Sequence, residues 1–307
     1  MDVPRGSAVE AIGRGRRAPP PAAWYGCPGV LLVLLPLVMM AVSPQGQADP
    51  APSRSRLSLP RFDAVGADVI PRDVVSALAQ DRQGFLWVGT GDGLVRYDGY
   101  RFRPLERSTA DAAGRSLGWV ASMSAAADGR MWIAPESGGV ALYDPATEQV
   151  VDAPAWAPGE QRPAVLSLID AEGGGVWVGT QGRGLLRLDG QGRRMPLPGV
   201  EALAGQSVQS LVMGDGGELW VGTWRGLWRY ASTTGRLSRI TVDKVDLDSL
   251  AVHALLRSAD GRVWAGTRQG VLLRSDGPGA GGVRVLASPE GESVAGAAIR
   301  AMVEVEG

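Results

Sequence analysis

Asp81-Arg82-Gln83-Gly84-Phe85-Leu86-Trp87-Val88-Gly89-Thr90-Gly91-Asp92-Gly93-Leu94-Val95-Arg96-Tyr97-Asp98-Gly99 is a pattern that returns four more times along the chain. Its tryptophan recurs as Trp132, Trp177, Trp220 and Trp264, at spacings of 45, 45, 43 and 44 residues. Each stands three positions after a glycine: Gly84, Gly129, Gly174, Gly217 and Gly261. A fixed period of this length marks an array of similar structural units.

Working outward from the tryptophan, a valine stands twelve residues earlier in every copy: Val75, Val120, Val165, Val208 and Val252. Two positions on is a small residue (Ala77, Ser122, Ser167, Ser210, Ala254), and next comes a large apolar one (Leu78, Met123, Leu168, Leu211, Leu255). That is a strand with one crowded face. A glycine-marked turn leads to the tryptophan-bearing strand, and a second glycine (Gly93, Gly139, Gly184, Gly226, Gly270) opens a third. A weaker fourth strand follows, as in 101–105. Four short antiparallel strands in each unit of about 40–50 residues define a β-propeller blade. The expected fold is therefore all-β: five four-stranded blades over 57–307, plus the first strand of a sixth beginning at Ala298, in an incomplete ring. The small residue is expected where inner strands converge on the central axis. Leu57–Phe62 could add an outer strand to a distant blade.

Composition agrees. The 307 residues are 45% hydrophobic with 44 glycines, enough apolar material for a large core divided by many turns. Lys and Arg total 31 against 32 Asp and Glu, so no basic excess draws the chain to nucleic acid. Cys27 and His253 are the only cysteine and histidine. This excludes intramolecular disulfides, thiolate metal clusters and nearly all histidine-dependent catalysis that does not use His253. No metal and no cofactor is expected.

Four arginines in residues 1–29 precede the apolar run Val30–Val42, thirteen residues long. Such a run is shorter than the roughly 20 residues that span a bilayer. With Gly46 and Ala48 before Asp49, residues 1–48 read as a signal peptide or signal anchor, and 49–56 as a linker. The remainder is then expected outside the cytoplasm.

Gly84-Phe85-Leu86-Trp87-Val88-Gly89-Thr90, with Gly93-Leu94 and Tyr97-Asp98, resembles the two-component regulator propeller repeat. Trp177-Val178-Gly179-Thr180 and Trp220-Val221-Gly222-Thr223 match as well. Trp264-Ala265-Gly266-Thr267 departs by one alanine, and Trp132-Ile133-Ala134-Pro135 lacks both the glycine and the threonine. The resemblance implies a periplasmic sensory domain, built in such proteins from two propellers, an immunoglobulin-like domain, a membrane helix and a cytoplasmic histidine kinase or diguanylate cyclase. No such output lies in these 307 residues. It further implies a small-molecule or carbohydrate ligand, a parent anchored in the inner membrane, further C-terminal repeats and an output domain as partners, and a possible homodimer. This chain itself is then not an enzyme. The alternatives are a propeller enzyme acting on carbohydrate and a scaffold binding another protein by its blade faces.

The glycines of Gly89-Thr90-Gly91-Asp92-Gly93 and Gly182-Arg183-Gly184 superficially resemble phosphate loops. They lie between two strands of a hairpin and open no helix, so a structural role is expected. His253 is expected to be structural or to line the channel. The third-strand arginines Arg96, Arg187 and Arg229 are expected to point outward and pair with local Asp residues. The connection after each tryptophan strand keeps its flanks and varies its tip: Asp92, Glu136, Gln181 and Arg183, Trp224 and Arg225, Arg268 and Gln269. Equivalent loops of a propeller emerge on one face, so these tips form the expected ligand rim, with Trp224 stacking and the charged groups orienting a polar ligand.

Overall fold

The structure, a computed structural model, describes residues 74–105, 117–243, 245–277, 282–286 and 297–305. The signal segment 1–48, the linker 49–56 and the outer strand expected at Leu57–Phe62 lie outside the described residues. Five four-stranded antiparallel sheets form the fold, each a simple meander. Blade one is β1 (Val75–Gln80), β2 (Leu86–Thr90), β3 (Leu94–Tyr97) and β4 (Phe102–Leu105). Blade two is β5 (Val120–Ala125), β6 (Met131–Pro135), β7 (Ala141–Asp144) and β8 (Gln149–Asp152). Blade three is β9 (Val165–Asp170), β10 (Val176–Thr180), β11 (Leu185–Leu188) and β12 (Arg194–Met195). Blade four is β13 (Val208–Met213), β14 (Glu218–Thr223), β15 (Gly226–Ala231) and β16 (Arg236–Arg239). Blade five is β17 (Val252–Arg257), β18 (Val263–Thr267), β19 (Leu272–Ser275) and β20 (Val283–Leu286). Among the described residues there is no α-helix, and no helix is long and apolar enough to cross a membrane.

The inner strands β1, β5, β9, β13 and β17 pack in succession, and four apolar cores fill the spaces between consecutive blades. Each core takes the tryptophan of one blade and the valine of the next: Trp87 with Val120, Trp132 with Val165, Trp177 with Val208, Trp220 with Val252. Trp87 meets Tyr143 edge-on at 4.8 Å, and Trp177 meets Tyr230 at 5.7 Å, the favourable geometry for aromatic pairs.

The small residue of the inner strand has a more specific cause than crowding at an axis. Ser210 pairs in register with Gly222, and the neighbouring blade's Val252 fills the space above the glycine, where an added Cβ would lie 2.8 Å from Val252 Cγ1. Gly179 and Val208 repeat this at 2.7 Å, and Gly89 and Val120 at 3.0 Å. A small residue opposite glycine makes a slot, and the next blade inserts its valine.

Segment 297–305 places Ile299 over Gly266 as Val252 sits over Gly222, and the Ile299 N–H donates to the Thr267 carbonyl at 3.0 Å. It lies where the first strand of a sixth blade was expected. It forms no ladder, however, because no described strand pairs with its other edge. The two end faces are the least covered: Leu78 on β1 is 61% exposed, and Trp264 is only half-buried whereas the other four repeat tryptophans are buried.

The third-strand arginines depart from expectation. Arg96, Arg187, Arg229 and Arg274 are register partners of Trp87, Trp177, Trp220 and Trp264. Three of them lie over those indoles, at 5.8, 5.0 and 5.4 Å for Arg96, Arg187 and Arg274. The guanidinium thus caps the ring in a cation–π contact. The carboxylates they do reach are glutamates, Glu148 for Arg96 at 3.8 Å and Glu218 for Arg229 at 3.5 Å. Arg187 bonds the Leu188 and Gly174 carbonyls instead.

Candidate functional site

The repeated Gly-Thr and the following glycine form a clasp at the tip of the second hairpin in blades one, three and four. The Thr90, Thr180 and Thr223 hydroxyls donate to the carbonyls of Gly93, Gly184 and Gly226 at 3.1, 2.7 and 3.0 Å. All three threonines are fully buried. Gly184 adopts φ +75 and Gly226 φ +99, the left-handed region that a tight tip needs. The glycines therefore close hairpins.

Backbone hydrogen bonds then tie the tips of blades two to five to the entries of inner strands. Gln181, Trp224 and Arg268 donate their N–H groups to Ala164, Ser207 and Ala251, the residues just before the inner strands of their own blades. Gly139, Gly184 and Gly226 donate to Pro163, Gln206 and Leu250, on the way into the next blade. The tip side chains consequently stand on a fixed frame and share one end of the blades.

Every inner strand also carries a β-bulge one residue after its valine, seen as a register shift across Val75/Ala77, Val120/Ser122, Val208/Ser210 and Val252/Ala254, and opposite Gly179/Thr180 in blade three. The bulged residues are Ser76, Ala121, Leu166, Gln209 and His253. A bulge re-aims its side chain, so these five belong with the tips at the same end.

The structure brings part of the expected rim together. Trp224 is 48% exposed, and its ring centroid lies 6.1 Å from that of His253 in the next blade. The Arg268 guanidinium stands over the same indole at 5.8 Å. On blade four, Trp224 and Arg225 line a hollow of about 450 Å³ with Ala204, Gly205, Gln206 and Ser207. Gln181 and Arg183 flank Gly182, whose N–H donates to the Ser207 hydroxyl at 3.1 Å, and Arg183 lies 3.9 Å from Glu160.

Gln269 is engaged with the backbone. Its amide oxygen accepts the Ala251 N–H at 3.2 Å and its nitrogen donates to the Ser249 carbonyl at 3.1 Å, so it braces the entry to blade five. Glu136 is similarly engaged: its carboxylate accepts the Trp119 N–H at 3.3 Å. Asp92 sits on blade one with its N–H on the Thr90 hydroxyl. Asp92 and Glu136 do not line the hollow beside Trp224.

Two rim residues were not assigned there from sequence. Trp119 is 44% exposed and lies beside the blade-one tip, within 3.8 Å of where a side chain on Gly91 would begin. His253 is the other. Burial, with Arg268 and Arg300 nearby, pushes its imidazole below the ordinary 6.5, and its Nε2 is buried with no hydrogen-bond partner. Among the described residues no group of three or more His, Cys, Asp or Glu side chains could hold a metal ion.

A family model described as two component regulator propeller matches residues 70–92, which include the inner and tryptophan strands of blade one. The chain thus carries this repeat in a fold of five propeller blades. Among solved structures it is similar to the extracellular domain of a B. thetaiotaomicron protein, BT3049, described as a hybrid two component system: 23% identity over 66% of this chain and 28% of that one, TM-score 0.53. Virginiamycin B lyase from Staphylococcus aureus gives a TM-score of 0.55 at 12% identity, over 70% of each chain. The extracellular domain of BT4673, described as a one component system, gives 0.50 at 19% identity over 76% of this chain. The chain spans 28% and 36% of the two B. thetaiotaomicron domains. At these identities the likeness is one of fold. No curated protein sequence matches the chain.

Proposed function

We propose that the chain is the extracytoplasmic sensing part of a bacterial signalling protein of two-component type, exported by residues 1–48. It binds a small polar ligand at the rim formed by the hairpin tips of blades three to five, and the output domain lies outside this chain. One observation carries the reading: tips that share a single backbone frame present unlike side chains, and at blades four and five these converge on an exposed indole beside a hollow of about 450 Å³. Frame and hollow together suit binding, since a preformed concave surface with an aromatic shelf and a few polar groups costs little to order. The two-component repeat in blade one supports a signalling context.

The test is a thermal-shift screen of the chain against mono- and oligosaccharides, amino acids and carboxylic acids. A compound that raises the melting temperature, and loses its effect when Trp224, Arg225 and Arg268 are all alanine, supports the site. A compound whose shift survives that triple substitution places binding elsewhere and defeats it.

A further inference from the structure

Twelve arginines of the described chain lie within 4 Å of a carboxylate. Eight described arginines are not among them, and three of the eight, Arg225, Arg268 and Arg300, gather near Trp224 and His253. Arg268 is held over the indole by a cation–π contact at 5.8 Å. Arg268 and Arg300 are the two charges felt at His253, and both are positive. His253, set on the bulge of β17 with its ring centroid 6.1 Å from that of Trp224, carries a buried Nε2 with no hydrogen-bond partner. A neutral imidazole with two uncompensated guanidinium groups beside it, and an exposed ring for a wall, lacks one component: an anion.

We infer that the Trp224 rim is an oxyanion site, taking a ligand that presents a carboxylate or sulfate-like group to Arg268 and Arg300 and a flat face to Trp224, and that its occupation brings a proton onto His253. The inference rests on the rim being the ligand site, as proposed above, and adds the chemistry of what it takes. The anion cancels the positive field that keeps the imidazole neutral. A protonated His253 in turn donates from Nε2, ending the unsatisfied state of that atom. By linkage, anything that binds the protonated form more tightly binds better as pH falls.

His253 is the only histidine, so the untagged full chain gives a single imidazole Hε1 resonance in proton NMR. Its titration is followed between about pH 5 and 8.5 at constant ionic strength, in sodium chloride alone and with added sodium sulfate, sodium benzoate or neutral benzyl alcohol. The midpoint lies below 6.5 in chloride, rises with sulfate, rises further with benzoate, and does not move with benzyl alcohol. Calorimetry gives benzoate an affinity roughly fivefold or more higher at the acid end of that range. Arg268→Gln and Arg300→Gln, both exposed and checked by their melts, each weaken benzoate binding by about tenfold.

A midpoint unmoved by either anion overturns the inference, as does an equal shift in the Arg268→Gln/Arg300→Gln double variant. Binding of benzyl alcohol but of neither anion overturns it too, while leaving the rim as a ligand site. Failure of the rim itself shows separately, as a thermal-shift ligand indifferent to the alanine triple.

Discussion

Val252 fills the space that a side chain on Gly222 would occupy, with its Cγ1 2.8 Å and its carbonyl oxygen 3.0 Å from the place of the missing Cβ. The contact crosses from blade four to blade five, and Ser210 Oγ of the same blade lies nearer still, so the glycine serves both the joint between blades and the strand pairing within its own. Gly222→Ala forces backbone as well as side chain to shift, and is expected to destabilise by about 1–3 kcal/mol. Val252→Ala makes a cavity on its own, yet the double variant should lose less than the two singles combined, because one change accommodates the other. Denaturant melts of the four proteins check this. Strict additivity would show that the slot is not the cause.

Asp81 organises the turn of blade one. Its carboxylate accepts the Trp87 indole N–H at 2.8 Å and the backbone N–H groups of Gln83 and Phe85 at 3.0 Å each. Asp81→Ala strands a buried indole donor and is expected to cost about 1.5–3 kcal/mol. Blade two shows the contrast, for Ala126 holds the equivalent place and the Trp132 nitrogen has no partner. Introducing Ala126→Ser should therefore cost little. A melt in which Asp81→Ala equals the native chain would contradict the role given to this carboxylate.

His253 sets a pH dependence of known sign. Its folded value is depressed below 6.5, first by burial and then by Arg268 and Arg300. The unfolded chain therefore takes up the proton first as pH falls. The stability it contributes is complete above 6.5 and is lost as pH drops through the folded value. His253→Gln, which cannot titrate, should flatten the melting temperature against pH in this window. An unchanged slope in His253→Gln would assign the dependence to other groups.

Export is a proposal that rests on the four arginines and the thirteen-residue apolar run ahead of Asp49. Fused to an enzyme that works only outside the cytoplasm, residues 1–60 should give activity, and replacing Leu34 and Leu35 by arginine should silence it. An intact but silent wild-type fusion would defeat the assignment.

The blades were legible because a period makes the same joint recur, and a joint restricts residue type. Valine, small residue, glycine and tryptophan mark its parts in copy after copy, and the inner strands begin at the five valines as read from sequence. The tips were legible for the opposite reason, as the places where recurrence stops. The bulge was not. Val252 and Ala254 are two apart, as in plain alternation, so nothing in the pattern shows that His253 between them is an extra residue aimed at the rim. The bracing contacts of Gln269 with Ser249 and Ala251 were not legible either, because variation at a tip does not distinguish a ligand contact from a brace. Arg187 was misread because its partner is the cross-strand Trp177, a pairing fixed by register and invisible to spacing.

The central claim is that ligand is sensed at the rim around Trp224. Its most direct test is the signalling dose response of the full-length parent carrying Trp224→Ala, Arg225→Ala and Arg268→Ala, with a matching triple of exposed residues at the opposite end of the blades (Arg82, Asp128 and Glu172 to Ala) as control. The account predicts loss of the response in the first triple, with its melt preserved, and a native response in the control. A native dose response in the rim triple would contradict it.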